Sequence, residues 1–152
     1  EACELSWYEL ENPRHRAMQN WVKELLHVYR KYPALWQQDI NWNGFEWINA
    51  NDSYRSIFSL VRKSKDGKNN ILCVVNFTPV EYPDYRVGVV STQKHTLILD
   101  SDEPEYTGET QEKKRKKKSY TPEKQACDGQ AYSIGYPLPS FGVALFSFDY
   151  DV

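Results

Sequence analysis

Five carboxylates, Asp39, Glu46, Asp52, Asp100 and Asp102, are the side chains here whose type could cleave a glycosidic bond. Retaining chemistry of that kind sets one carboxylic acid and one carboxylate about 5 Å apart across the scissile bond. The chain carries 21 acidic residues, and nothing in the spacing of these five selects a pair, so no catalytic residue is assigned within it. His15, His27 and His95 lie far apart. None has a metal-ligand spacing or neighbours a Ser or Cys in a nucleophile motif, and they read as structural or surface groups. Cys3, Cys73 and Cys127 are odd in number and widely spaced, which suits neither a disulfide framework nor a zinc site and fits a reducing cytoplasm. There is no Gly-rich phosphate loop, and neither a metal nor a cofactor is expected.

Charge and aromatic content give two further candidates. The net charge is −2, but six basic residues are consecutive at 113–118, leaving 13 basic residues against 21 acids elsewhere. Clustered positive charge releases counterions from polyanions. This run is short, lacks interleaved aromatics and sits in an otherwise acidic chain, so it reads as a solvated loop and nucleic acid is not expected as a partner. Aromatic residues make up 14% of the chain, with 5 Trp and 11 Tyr. Trp36, Trp42, Trp47 and Tyr54 cluster near the start of the strand-rich region, where they can either fill a small β core or stack on sugar rings.

The elements that position these residues follow from periodicity. Asn12-Pro13 is an N-cap followed by proline at the first helical position, and Met18, Trp21, Val22, Leu25, Leu26 and Tyr29 recur at helical spacing. This predicts one amphipathic helix over about 13–31, ending before Pro33. Its apolar stripe must pack against something substantial. From residue 45 the pattern changes to seven short β-type runs at 45–48, 56–63, 71–77, 85–90, 96–100, 131–136 and 141–148. Asp66-Gly67 predicts a hairpin between the second and third. The polar stretch from about 102 to 130 is expected to be a mobile loop. The fold class is therefore an all-β antiparallel sandwich or barrel preceded by one amphipathic α-helix. No run approaches the roughly 18 apolar residues of a membrane span, and the first residues lack a signal-peptide profile. The chain opens on Glu1 and its single methionine is Met18, as expected of a piece of a longer protein.

An ordered set of short segments adds to this reading. Leu5-Ser6-Trp7, Pro33-Ala34-Leu35, Gly44-Phe45-Glu46-Trp47-Ile48, Asn51-Asp52-Ser53, Asn76-Phe77-Thr78-Pro79-Val80, Tyr85-Arg86-Val87-Gly88-Val89 and Ser101-Asp102 occur in the order found in bacterial glycogen branching enzymes of the α-amylase superfamily. The chain resembles the carboxy-terminal part of that family nearly throughout, the basic run excepted. Ser6, Val90, Tyr106-Thr107-Gly108 and Pro137-Leu138-Pro139 depart from the family pattern.

The resemblance implies that residues 1–35 close a (β/α)8 barrel, with the helix as its last barrel helix, and that residues 36–152 form the carboxy-terminal all-β domain. Met18, Trp21, Val22 and Leu25 would face the barrel, and without it Met18, Trp21 or Leu25 should be partly exposed. The implied activity is transfer of a segment of α-1,4 glucan to a sugar 6-hydroxyl, forming an α-1,6 branch in glycogen. An Asp nucleophile and a Glu acid/base from earlier barrel strands would perform it. Trp7, on the loop entering the helix, and Trp42 and Trp47 are the implied glucan contacts, with α-glucan and the barrel as partners and no membrane. Two alternatives are an autonomous glycan-binding β module and a polyanion-binding module working through residues 113–118.

Overall fold

The structure, a computed structural model, describes residues 4–107 and 116–151. It opens with a 3-10 turn at Trp7–Glu11 and continues into helix α1, Pro13–Lys31. The Asn12 side chain accepts the Arg14 N–H at 3.0 Å, and Pro13 occupies the first turn, where its missing donor costs nothing. The helix stops at Tyr32, whose extended backbone Pro33 favours. Both ends lie where the capping chemistry places them.

Eight strands follow among the described residues: β1 Phe45–Asp52, β2 Ile57–Arg62, β3 Asn70–Asn76, β4 Tyr82–Val89, β5 His95–Asp100, β6 Ser119–Tyr120, β7 Tyr132–Leu138 and β8 Val143–Phe148. Six form an antiparallel sheet in the order β1-β2-β3-β8-β5-β6, and β4 pairs with β7 in a second, two-stranded sheet. The choice between sandwich and barrel resolves to two open sheets. The expected hairpin joins β2 and β3, with Gly67 at φ 72°, a conformation suited to glycine. Asn70 ties this turn to the sheet by accepting the Ser64 N–H at 2.9 Å and donating to the Gly67 carbonyl at 2.6 Å.

Strand period 2 divides each inner strand between two cores. Ile57, Val61, Leu72, Val74, Ala144, Phe146 and Phe148 of the large sheet meet Tyr85, Val87, Val89, Ile134, Tyr136 and Leu138 of the small one. On the opposite face, Ile71, Leu99 and Leu145 are covered by Val28 of α1 and by Tyr32 and Ala34 beyond it. β3 and β8 are thus buried on both sides.

Two differences from the sequence reading concern strand extent. β1 runs on to Asp52 through two register shifts, and β4 begins at Tyr82 across an irregularity that contains Pro83. A third concerns the polar stretch at about 102–130. Residues 108–115 lie outside the described residues, but on either side the chain carries defined structure. A single helical turn α2, Pro104–Thr107, packs on α1, and β6 pairs with β5. Glu123 bridges to Ser133, and Cys127 to Gln130. Tyr120 anchors this strap, its buried ring meeting Tyr136 and Phe146 edge-on at 5.6 and 5.5 Å. One buried aromatic in a polar segment supplies the apolar area that its composition hides.

His95 is fully buried, stacked on Phe148 at 4.6 Å, with Nδ1 against the Gln93 carbonyl at 2.9 Å and Nε2 without a partner among the described residues. Burial pushes its pKa down to about 4, from an ordinary value of 6.5. The unfolded chain therefore binds this proton more readily than the folded one. The stability present above pH 6.5 is lost as pH falls toward 4, by roughly 3 kcal/mol at most. Urea unfolding between pH 7 and 4 should show this fall, and His95→Phe, which keeps the ring stack, should flatten that part of the curve.

Candidate functional site

Trp7, Trp42 and Trp47 lie on three different elements. Trp7 belongs to the 3-10 turn ahead of α1, and its ring is exposed. Trp42 is 85% exposed on a separate 3-10 turn, Trp42–Gly44, which Asn41 caps by accepting the Asn43 N–H at 3.0 Å. Trp47 projects from β1 on the sheet face that α1 covers farther along, and it is half exposed. It joins a row of aromatics that the sequence reading did not assemble. Phe45 meets its ring edge-on at 5.0 Å, Phe58 of β2 lies tilted at 6.4 Å, and Phe77, just past β3, meets Phe58 edge-on at 5.7 Å. Ile57, Ser59 and Val61 alternate inward, so Phe58 must point outward, and pairing of β1, β2 and β3 lines the rings up. Strand register was the missing signal. Apolar ring surface of this kind can accept the C–H face of a sugar.

Each of the five candidate carboxylates meets a cation. Asp39, ahead of β1, pairs with Arg62 at the end of β2, and Glu46 of β1 pairs with Lys63 just past β2. Asp52 pairs with Arg55 at 2.6 Å. Asp100 and Asp102 share Lys116, at 2.5 and 3.5 Å. These contacts give each of the five a structural partner within the chain.

The Asp100 cluster is the most buried of these. Asp100 is 2% exposed and also accepts the Tyr136 hydroxyl and, at 2.9 Å, the Asp102 N–H. Burial, reinforced by the Asp100 charge, pushes the Tyr136 hydroxyl pKa well above the ordinary phenol range, so it remains a donor. The Lys116 side chain is 12% exposed and its ammonium lies 5.5 Å from the Tyr136 ring centre. The solvated-loop reading of residues 113–118 is therefore corrected at Lys116, which is drawn into the domain by a buried acid. Lys113, Lys114 and Arg115 lie outside the described residues.

The helix divides its apolar residues between two sides. Ala17 and Val28 are buried, and Trp21 meets Tyr106 edge-on at 5.3 Å. Trp21 thus packs within this chain rather than with Met18, Val22 and Leu25, with which its spacing grouped it. Met18, Val22, Leu25, Leu26 and Tyr29 remain exposed, Met18 at 61%. A groove of about 580 Å³ runs along this side between Met18, Val22, Leu26 and the polar His15, His27 and Arg30. No helix among the described residues is long and apolar enough to cross a membrane.

Comparison with known proteins matches this architecture. Residues 47–149 match the family described as alpha amylase, C-terminal all-beta domain. Along 97% of its length the chain is 45% identical to the 1,4-alpha-glucan branching enzyme GlgB of Butyrivibrio fibrisolvens, covering 23% of that protein. It is 39% identical over 93% of its length to the protein of that name from Gloeobacter violaceus, and 40% identical over 91% to that of Aquifex aeolicus, covering 19% and 22% of them. The chain spans about a fifth of the length of these curated relatives.

The buried charge cluster leads to a stability test. Removing one member of such a pair leaves the other uncompensated, at a cost of about 3–5 kcal/mol, whereas removing both costs far less. Lys116→Met should therefore lower the urea midpoint sharply, and adding Asp100→Asn should recover most of the loss. Additive losses in the double variant would show that the two groups do not interact.

Proposed function

The chain belongs to the α-amylase C-terminal all-β domain family, and from that premise we propose that it is the carboxy-terminal module of a 1,4-α-glucan branching enzyme. The whole enzyme would transfer a segment of α-1,4 glucan to a sugar 6-hydroxyl and so build the branches of glycogen. Similarity to branching enzymes supports this reading because it extends over almost the whole chain, including helix α1, which lies outside the matched family region.

The observation that carries the division of labour is the two-sided helix. One side of α1 closes the face of the large sheet, and the other presents Met18, Val22, Leu25, Leu26 and Tyr29. An amphipathic helix buries one stripe, and a second apolar side calls for a second neighbour. On this reading that neighbour is the (β/α)8 barrel, residues 1–35 complete it, and residues 36–152 cap and stabilise it. The catalytic Asp and Glu reside in the barrel, whose active sites form at the strand carboxyl ends. Trp7, on the turn entering α1, would approach the glucan there, and Trp42 and Trp47 would touch longer chains outside it. Free thiols at Cys73 and Cys127 support a cytoplasmic location.

The aromatic row of Phe45, Trp47, Phe58 and Phe77 favours a second reading, an autonomous glycan-binding module. The polyanion reading is weakened by the engagement of Lys116 with two acids.

Three measurements separate these readings. The full-length gene product should convert amylose to a branched product, seen as loss of iodine absorbance and recovery of short chains after debranching, and the 152-residue chain alone should not. Leu26→Glu should destabilise the full-length protein by about 2 kcal/mol or more, the scale of burying a leucine, yet change the isolated chain by less than about 0.5 kcal/mol. Equal effects in both settings would remove the barrel as the helix's second neighbour. Saturable quenching of tryptophan fluorescence by maltoheptaose in the isolated chain, with no branching by the full-length protein, would favour the glycan-binding module.

A further inference from the structure

Tyr85 and Val87 of β4 enter the core, so Asp84 and Arg86 emerge on the outer side of the small sheet. Both side chains fold across Gly135 of β7. A Cβ at Gly135 would lie 3.1 Å from the Asp84 Oδ1 and 3.6 Å from the Arg86 Nη2, so the bare backbone there makes room for them. Arg86 is fixed by Glu123, 2.9 Å from its Nη1, and donates to the Ser133 hydroxyl at 3.2 Å. Glu123 belongs to the strap that leaves β6 and crosses to β7 through the Glu123 bridge to Ser133. Between strap and sheet lies a polar cleft of about 360 Å³, lined by Asp84, Arg86, Lys117, Ser119, Thr121 and Glu123, with Ile134 and Gly135 beneath. The Ser119 hydroxyl is buried and makes no hydrogen bond among the described residues.

The donor and acceptor pattern defines the ligand class. Two carboxylates, Asp84 and Glu123, offset one guanidinium and one ammonium, so neither a phosphate nor a metal cation finds a net opposing charge. A neutral polyol suits such a site, because each of its hydroxyls both donates and accepts, matching carboxylate acceptors set beside guanidinium and hydroxyl donors. The volume lies at the small end of the range for ligand pockets, roughly 300–1,000 Å³, the size of a mono- or disaccharide. We propose that this cleft binds one or two glucosyl units of a neutral α-glucan, separately from the aromatic row on the large sheet. The polyol class follows from the cleft itself, and the choice of α-glucan rests on the branching-enzyme reading.

The test is a nitrogen-15 NMR titration of the 152-residue chain with maltotriose and, separately, with inorganic phosphate. Maltotriose should shift the amides of Arg86, Thr121 and Gly135 saturably at millimolar concentration, and phosphate should not. Asp84→Asn combined with Glu123→Gln should weaken this binding at least tenfold while the rest of the spectrum is unchanged. If that variant misfolds, Thr121→Trp at the exposed rim should block the cleft with the core intact. Shifts confined to Trp42 and Trp47, saturable phosphate binding at Arg86, or unaltered maltotriose affinity in the folded variants would each overturn the proposal. Branching by the full-length protein with no sugar bound in this cleft would remove the cleft alone. Sugar binding here without branching would leave a polyol site and remove the enzyme reading.

Discussion

The fold depends on the burial of β3 and β8 from both sides. Ile71 and Leu72 are adjacent, point to opposite faces, and are both fully buried, and Leu145 and Phe146 repeat the pattern next door. A sheet with apolar residues on both faces of its central strands cannot leave either face to water. The small sheet covers one side, and α1 with the turn behind it covers the other. The helix is therefore part of the β domain's packing, whatever else it touches. This explains why Trp21 and Val28 turn inward while Met18 and Leu26 turn outward on a single apolar surface.

The candidate ligand surfaces lie at the margin of one cover and on the outer face of the other. Trp47, Leu60, Cys73 and Leu145 are successive partners across four strands and so share one face. The helix and its turn shield Cys73 and Leu145, and the cover stops before Trp47, leaving the row of rings in solvent. On the opposite side, the outward side chains Asp84 and Arg86 of β4 meet Ser133 and Gly135 of the neighbouring β7 and Glu123 of the strap. The aromatic row follows from a large sheet that is wider than its helical cover, and the cleft from a strap that crosses the outer face of the small sheet.

Charge plays a positioning role in the same frame. Asp39 to Arg62 fixes the approach to β1 and Glu46 to Lys63 ties β1 to the end of β2, while Lys116 to Asp100 fixes the end of the strap that leads into β6. Exposed pairs of the first kind contribute little to stability individually, but a buried acid requires its cation. Asp100 is the site at which an otherwise polar segment is committed to the core. Tyr120, four residues after Lys116, completes the attachment with apolar area.

What the sequence determined by itself was local. Asn12-Pro13, Pro33 and Asp66-Gly67 act through neighbouring backbone, and the alternating runs disclose strands because side-chain direction has a fixed period. The ordered segments from Leu5 to Asp102 likewise disclosed the kinship, since order along the chain needs no coordinates. What only the tertiary structure decided was which residues from distant segments meet. Phe58 and Phe77 join Trp47 through strand register, Trp21 leaves its helical stripe for Tyr106, Lys116 finds Asp100, and Asp84 and Arg86 meet Glu123 over Gly135. Periodicity tells which side of its own element a residue faces. Pairing, register and burial tell what stands opposite, and those are fixed by the competition of the whole chain for its core.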